Sequence, residues 1–332
     1  MNIVRAARDL LNGRHRTCLA IGVFDGVHLG HQQIIRQTIA DARQHEALAL
    51  IVTFDKHPNA IVAPDRVPPL IYSRPQKLRA IEALGADALL EIPFGRDFSQ
   101  QTGEQFVRGL MQDLGGVQSI CVGADFVFGC KRSGNVALLK ALGGQFGFQV
   151  HGMAQLALDG KTVSSTRIRE AIAAGDFDAA SQMLGRAYAL VGEVVRGDQL
   201  GQKLGFPTAN LDTAGLVFPP NGVYAAHVTR RTGVAPVSDL KSAAPTAPEA
   251  GARRDACPTH RAVLNIGIRP TINQPKPAPR VEVHLLDFSS EIYGEELEVS
   301  FVAKLRDERK FASLAELQAQ IQRDIASARK KF

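Results

Sequence analysis

The feature that most constrains the fold is a change of rhythm near residue 185. Before it, short apolar runs alternate with amphipathic ones. After it, apolar runs follow one another with no helical pattern between them. In the first part the spacing predicts strands at 18–24, 47–54, 88–92, 119–123 and 148–151. Helices are expected at 32–45, from an N-cap at Ser73 to Gly85, and from Thr102 to Leu114, where Gln105 completes a capping box. Alternating strands and helices imply a mostly parallel sheet covered on both faces, an α/β domain. Ligands of such sheets bind outside the carboxyl ends of the strands.

Residues 176–184 read as a short helix closed by Gly185. Beyond it, runs at 189–195, 223–229, 262–266, 280–288 and 297–303 are rich in β-branched residues, which predicts a small antiparallel β-barrel or sandwich. Val281, Val283 and Leu285 alternate with Glu282, His284 and Leu286, so that strand has one apolar face. A closing helix opens at Ser313 with Glu316 as capping partner, and Leu314, Leu317 and Ile321 form a stripe for the barrel. Residues 231–260 hold Ala, Pro and charge without aromatics, and are expected to be a mobile loop inserted in the second domain. The expected domains are 1–185 and 186–332, ordinary sizes for a chain of 332 residues.

Composition excludes some classes. No apolar run is long enough for a membrane span. Met-Asn-Ile-Val-Arg at the N-terminus is not followed by the apolar core of a secretory leader. Cys18, Cys121, Cys130 and Cys257 lack Cys-x-x-Cys spacing and are expected to be reduced thiols of a cytoplasmic protein, Cys257 exposed in the inserted loop. The net charge of +6 suits anionic small molecules and nucleic acid alike.

Three stations follow strand ends in the first part. Residues 22–31 read GVFDGVHLGH, a strand, a glycine-rich turn and a helix start. Gly22, Phe24, Asp25, Gly26 and Gly30 are candidates for an anion site, because a helix start offers unpaired N–H groups and glycines let phosphate approach. His28 and His31, three apart, are expected to face the same side. No Walker lysine and no Gly-x-Gly-x-x-Gly accompany them, and no acidic or Cys ligand stands at zinc-like spacing. The second station, 123–135, gathers Asp125, Phe126, Phe128 and Arg132 among glycines, suited to a planar ring and a phosphate, or simply to a turn with a buried aromatic pair. The third, Ser164, Ser165, Thr166 and Arg169, opens a helix with hydroxyls and cations, either a polyphosphate cradle or plain capping.

In the second part, residues 196–210 contain Gly197, Gly201, Lys203, Gly205, Pro207, Thr208 and Asn210. The glycines can wrap phosphate with backbone N–H groups. If extended, Thr208 and Asn210 point to one side, and their oxygens are hard ligands suited to Mg²⁺. Glu282 shares its face with His284, so that face can line a pocket rather than meet solvent.

These residues carry a resemblance. The pattern His-x-x-His in GVFDGVHLGH resembles the HIGH-type signature of nucleotidyltransferases. With VTFDKHP, then GADFVFG followed by Arg132 and Gly134, then SSTRIR, residues 1–185 resemble the FMN adenylyltransferase module of bacterial bifunctional riboflavin kinase/FAD synthetases, departing from it at Lys56, Val127 and Asn135. FPTAN, the run 265–271 and VEVH resemble the riboflavin kinase module over 186–230 and 261–332. The resemblance implies a Rossmann-like nucleotidyltransferase domain followed by a β-barrel kinase domain with a C-terminal helix. It implies that riboflavin is phosphorylated by ATP to FMN, and that FMN is adenylylated by ATP to FAD with release of pyrophosphate. Thr208 and Asn210 are then expected to hold Mg–ATP, and Glu282 to act as general base. His28 and His31 are expected near the α-phosphoryl group, and Ser165, Thr166 and Arg169 on the departing phosphates. The implied partners are small molecules, with neither nucleic acid nor membrane. Two other readings fit the residues less well. Another nucleotidyltransferase fused to a barrel leaves Pro-Thr-Ala-Asn and the strand glutamate unexplained. A basic nucleic-acid-binding barrel calls for clustered cations and exposed strand aromatics, whereas the second half has few aromatics and scattered cations.

Overall fold

The computed structural model describes residues 1–10, 16–197, 200–231, 258–268 and 279–332. The chain divides into two compact units, Met1–Arg169 with Met183–Gly185, and Glu170–Gln182 with Arg186–Phe332.

The first unit is built on a six-stranded parallel sheet of order β1-β4-β3-β2-β5-β8. Its strands are β1 (Asn2–Val4), β2 (Thr17–Ile21), β3 (Leu48–Phe54), β4 (Ala88–Ile92), β5 (Val117–Gly123) and β8 (Gln149–Met153). All five residues of β2 are buried, as the central strand of a sheet covered on both faces requires. One layer of the core packs Leu19, Leu50, Leu90 and Ile120 against α5 (Gly103–Leu114) and α6 (Val136–Phe146). Truncating a fully buried leucine here, such as Leu19, costs about 2–5 kcal/mol. The other layer places α1 (Leu29–Gln44) on β2, β3 and β5. Both expected N-caps form complete capping boxes, Ser73 on α3 (Arg74–Glu82) and Thr102 on α5. Small elements fill the connections: α2 (Asn59–Val62), α4 (Arg96–Ser99), and the short pairs β6 (Val127–Phe128) with β7 (Gly134–Asn135), and β9 (Ala157–Leu158) with β10 (Lys161–Thr162). The strand β3 leads to one side of β2 and β5 lies on the other, so the order reverses at the end of β2. That is the switch point where such sheets bind ligands.

A buried carboxylate ties α1 to the sheet. Asp41 accepts from Ser119 Oγ at 2.7 Å, Gln37 Nε2 at 2.7 Å and Cys121 Sγ at 3.5 Å, and His151 Nε2 lies 3.2 Å away. Burial pushes the Cys121 thiol up to about 12 and raises that of Cys18. Both therefore stay protonated and inert.

The second unit is a closed antiparallel barrel of order β11-β12-β15-β14-β13-β16. It comprises β11 (Ala189–Val195), β12 (Ala209–Asp212), β13 (Gly222–Arg231), β14 (Thr259–Ile268), β15 (Pro279–Leu285) and β16 (Glu296–Arg306). Val281, Val283 and Leu285 point inward as their alternation predicts. Closure removes the exposed edges an open sheet would leave. The strand β12 has no apolar run to announce it and is not among the expected strands. Long barrel strands are also extended by pairing beyond their apolar stretches, as in β16. The helix α10 (Leu314–Arg329) covers the barrel, its Ile325 and Ala328 packing on Val223, Ala225 and Val263. Leu314, expected on the packing stripe, is instead 59% exposed at the first position of the helix.

The units change at the expected position, 185/186, and also at Arg169/Glu170 and at Gln182/Met183. The helix α7 (Ser165–Ala174) spans the division at Arg169/Glu170, and most of α8 (Phe177–Leu184) groups with the barrel. Phe177 stacks on Phe301 with centroids 4.4 Å apart, and on Tyr188 at 6.0 Å. Aromatic area of this kind outweighs chain proximity. The expected insertion at 231–260 and Cys257 lie mainly in 232–257, outside the described residues. Among the described residues no helix is long and apolar enough to cross a membrane.

Candidate active sites

The turn after β2 is strained. Phe24, Gly26 and Val27 have φ of 53°, 77° and 39°. A positive φ is costly for Phe and more so for β-branched Val, and such strain persists only where surroundings enforce it. Gly26 meets that demand directly, and a side chain there would also collide with Ile71. Phe24 is 1% exposed, folded under Gly22 with its ring edge on His31. Strand β2 thus ends at Ile21 rather than Phe24.

The enforcing groups are specific. Asp25, expected among the phosphate-facing residues, turns its carboxylate inward. It accepts from the N–H groups of Ile71 at 3.0 Å and Tyr72 at 3.2 Å, and pairs with Arg169 Nη2 at 2.6 Å. Arg169 Nε donates to Pro69 O at 2.6 Å. This guanidinium is a brace of the turn, not a free cation on a helix surface. Ser165 Oγ donates to Asp25 O at 3.1 Å, so the first and third stations meet. Gln32, 5% exposed, donates to Val27 O at 3.0 Å and Leu184 O at 2.8 Å.

The two imidazoles lie face to face, with centroids 3.6 Å apart and planes 20° from parallel. His28 is the N-cap of α1, one residue before the helix, and its Nδ1 accepts from His31 N at 3.4 Å. That leaves Nε2 as the proton-bearing nitrogen of a neutral ring. Gly30 leaves room beside the His28 ring. Burial, and then the neighbouring His28, push His31 well below the usual histidine value. His31 is therefore neutral at pH 7, and its Nδ1 is buried without a hydrogen-bond partner. Ser164 Oγ caps α7 by accepting from Arg167 N at 3.3 Å, and Thr166 is exposed beside it.

A cavity of about 730 Å³ begins at Ile21 and Val23. Phe54, Phe94, Phe98, Phe126 and Phe128 line it, with Arg96, Lys131 and Arg132. Phe126 and Phe128 stack at 5.1 Å, so the expected aromatic pair is a cavity wall. Lys131 and Arg132 both have positive φ, of 51° and 59°. Asp125 departs from its expected place: it is exposed and accepts from Gln155 Nε2 at 2.8 Å. Asn135 serves as N-cap of α6.

Two residues near this site were missed. Lys77 Nζ donates to Thr53 Oγ1 at 3.3 Å and Phe54 O at 3.0 Å, and Thr53 Oγ1 donates to Val23 O at 3.1 Å. Burial lowers the Lys77 pKa, with Glu91 and Asp25 opposing. His57 is also held low, first by burial and then by the Arg169 charge. His57 stands in VTFDKHP and was legible as part of that motif. Lys77 sits mid-helix with no motif around it.

In the second unit, register builds the site. Asn210 pairs directly with Glu282 across β12 and β15. Opposite residues of an antiparallel pair project to the same face. Asn210, Glu282, Thr208 and His284 all line one cavity of about 300 Å³, with Phe311, Leu317 and Ile321 also in its lining. Short helix α9 (Leu200–Lys203) curls back so that Phe206 N donates to Gly201 O at 2.8 Å. Gly201 must lack a side chain, since a Cβ would lie 2.4 Å from Phe206 O. Gly197 likewise abuts the Asn210 amide, and Gly205 turns the chain at φ 85°. The Lys203 side chain lies outside the described residues. Thr208 also lines a second cavity of about 160 Å³ with Pro207, Phe288, Ser290 and Tyr293. Among the described residues no group of three or more His, Cys, Asp or Glu is placed to hold a metal. A hydroxyl and an amide oxygen on one wall suit a hard ion that brings water and phosphate as its other ligands.

Comparison with known proteins agrees with both halves. A family model described as FAD synthetase matches residues 12–167, and one described as riboflavin kinase matches residues 184–332. The bifunctional riboflavin kinase/FMN adenylyltransferase of Haemophilus influenzae is 33% identical over 332 residues, covering 100% of this chain and 99% of its own. That of Escherichia coli K12 is 34% identical over 333 residues, covering 100% and 98%. That of Pseudomonas fluorescens is 36% identical over 330 residues, covering 99% and 97%. A crystal structure described as a macrolide-efflux protein from Streptococcus pneumoniae has the same fold, with a TM-score of 0.75 at 26% identity over 98% of both chains.

Proposed function

Because the chain belongs to the bifunctional riboflavin kinase/FMN adenylyltransferase family, we propose that its two reactions are carried by the two sites just described. The enzyme phosphorylates riboflavin with ATP to FMN and adenylylates FMN with ATP to FAD.

For the kinase reaction the reading rests on one observation, the direct pairing of Asn210 with Glu282. The riboflavin 5′-hydroxyl is a weak nucleophile until a base takes its proton. Glu282 is that base, and its place in the apolar-walled cavity puts it beside a bound flavin. Riboflavin enters the 300 Å³ cavity, where α10 supplies the apolar wall. The oxygens of Thr208 and Asn210 would hold Mg²⁺ with its ATP. When bound, Mg²⁺ neutralises charge on the transferring phosphoryl group. Gly197 and Gly201 let Asn210 and the Phe206–Thr208 segment pack closely on this loop, Gly205 leaves open space at its turn, and Pro207 fixes its exit.

For adenylylation no base is needed, since the FMN phosphate is already an oxyanion at neutral pH. It attacks the α-phosphorus of ATP, the bond to the β-phosphate breaks, and pyrophosphate leaves. His28 and His31 act as neutral hydrogen-bond donors to the α-phosphoryl oxygens, where charge builds up. Ser164, Ser165 and Thr166 face the departing phosphates at the start of α7. Arg169 and Asp25 hold the turn that carries the histidines. Phe126, Phe128 and Arg132 receive the flavin and its phosphate. The substrates are small molecules, nucleic acid is not among the partners, and the enzyme works in the cytoplasm.

The test is product separation after incubation with riboflavin, ATP and Mg²⁺. FMN followed by FAD supports both sites. FMN alone would sink the reading of the first unit, and FAD formed only from supplied FMN would sink that of the second.

A further inference from the structure

His284 plays no part in the chemistry above, yet it is built into the kinase site. It stands two residues after Glu282 on β15 and lines the same cavity. The ladder pairs Asn210 with Glu282 and Ala209 with Val283, so the next position across from His284 is Thr208. His284 Nδ1 lies 2.8 Å from Pro207 O. A carbonyl oxygen can only accept, so Nδ1 carries the proton and donates. The ring also meets Phe206 edge-on, with centroids 6.0 Å apart and planes at 87°.

This bond falls at a particular place. The strand β12 begins at Ala209, so Pro207 and Thr208 lie just outside its ladder. Pro207 has no N–H with which to extend pairing. Thr208 is the one described residue lining both the 300 Å³ and the 160 Å³ cavities. The paired strands β12 and β15 thus separate the two cavities, with Asn210, Glu282 and His284 on one and Ala209, Val283 and Leu285 on the other, while Thr208, just past the end of the ladder, reaches both. His284 clamps the adjoining Pro207 from the strand that carries Glu282.

We infer that His284 is a positioning residue for phosphoryl transfer, holding Pro207 so that the Thr208 hydroxyl keeps its place relative to Glu282. The inference rests on the reading of Thr208 and Glu282 given above. His284 touches neither reacting atom. Loosening the clamp frees Thr208 to drift, and displacements of about 1 Å in a phosphoryl-transfer site cost up to about a hundredfold in rate.

Three variants test it, each assayed for riboflavin phosphorylation and for adenylylation of supplied FMN. His284→Phe keeps a ring but removes the donor. His284→Asn keeps an N–H donor near the Nδ1 position, while His284→Gln offers one only farther out. Phe and Gln variants are expected to lose about tenfold or more in kcat/KM for Mg–ATP, with the KM for riboflavin within about twofold of wild type. The Asn variant is expected to recover most of that loss, and adenylylation and the thermal transition are expected to stay unchanged in all three. Wild-type kinetics in both Phe and Gln variants would overturn the proposal. So would equal losses in Asn, Phe and Gln, or a loss that tracks a lowered melting temperature. Glu282→Gln run alongside separates the two levels: if it remains active, the reading of the site has failed and not merely the role of His284.

Discussion

In the first unit the histidines ride on a turn with positive φ at Phe24, Gly26 and Val27, whereas in the barrel Asn210 and Glu282 face each other on paired, extended strands. The turn is held by its own Asp25, by Gln32 on the helix that follows, and from far along the chain by Ser165 and Arg169. The barrel pair is held by a ladder of backbone bonds that side-chain changes other than to proline leave in place. A strained turn therefore depends on distant braces, and a ladder does not, except where chain runs beyond its end, as at Pro207. Damage to the first site is expected from residues that touch no substrate, and damage to the second mainly from residues that do.

The largest effect expected is at the proposed base. Glu282→Gln should lower riboflavin phosphorylation by about a thousandfold while leaving adenylylation of supplied FMN intact. Parallel loss of both activities would mean misfolding instead. His28→Ala should lower FAD formation from FMN by about a hundredfold and spare FMN formation. An undiminished rate would remove the histidine from the site.

Arg169→Met sharpens the comparison itself. It leaves the buried Asp25 carboxylate, 5% exposed, without its cation, a change that costs about 3 kcal/mol in such settings. Native-state hydrogen exchange should register the loss in β2 and α1 with the barrel amides unmoved. Equal protection in wild type and variant would show that the turn needs no brace. A smaller effect concerns the metal. Chelation should stop riboflavin phosphorylation and added Mg²⁺ restore it, with Thr208→Val raising the Mg²⁺ requirement by about tenfold. An unaltered Mg²⁺ titration would take Thr208 out of the metal site.

The smallest effect is one of pH. His31 and His57 are both held below the usual histidine value in the folded chain, first of all by burial. Unfolded histidines take up protons near pH 6.5, so below that the unfolded state binds more protons and stability rises with pH. The stabilisation that neutral His31 and His57 contribute is present above about pH 6.5 and lost as pH falls. Amides of the first unit should thus lose protection between pH 7 and 5, by at most about 1.4 kcal/mol per pH unit for each group. His57→Gln should flatten that slope, and an unchanged slope would remove His57 from the account.

Much of this was legible beforehand because it is local. Capping at Ser73, Thr102 and Ser313, the inward Val281, Val283 and Leu285, and the glycine turn before α1 follow from spacing alone. Asp25, by contrast, reads as a ligand in its motif and proves to be a brace. Nothing near residue 25 reveals that Arg169, 144 positions away, will meet it. Asp125 was misplaced for the same reason, since its partner Gln155 comes from beyond β8.

The sequence by itself determined the two kinds of layer, the strand–turn–helix at 22–31, and the residue types that each reaction needs. Periodicity and turn chemistry act over a few residues, so they are written in a few residues. The tertiary structure decided that β12 would pair with β15 to set Asn210 against Glu282, that 170–182 would join the barrel through Phe177, and that His284 would clamp Pro207. Each of these depends on strand register or on burial among distant segments, and such distances are fixed only when the whole sheet or barrel has closed.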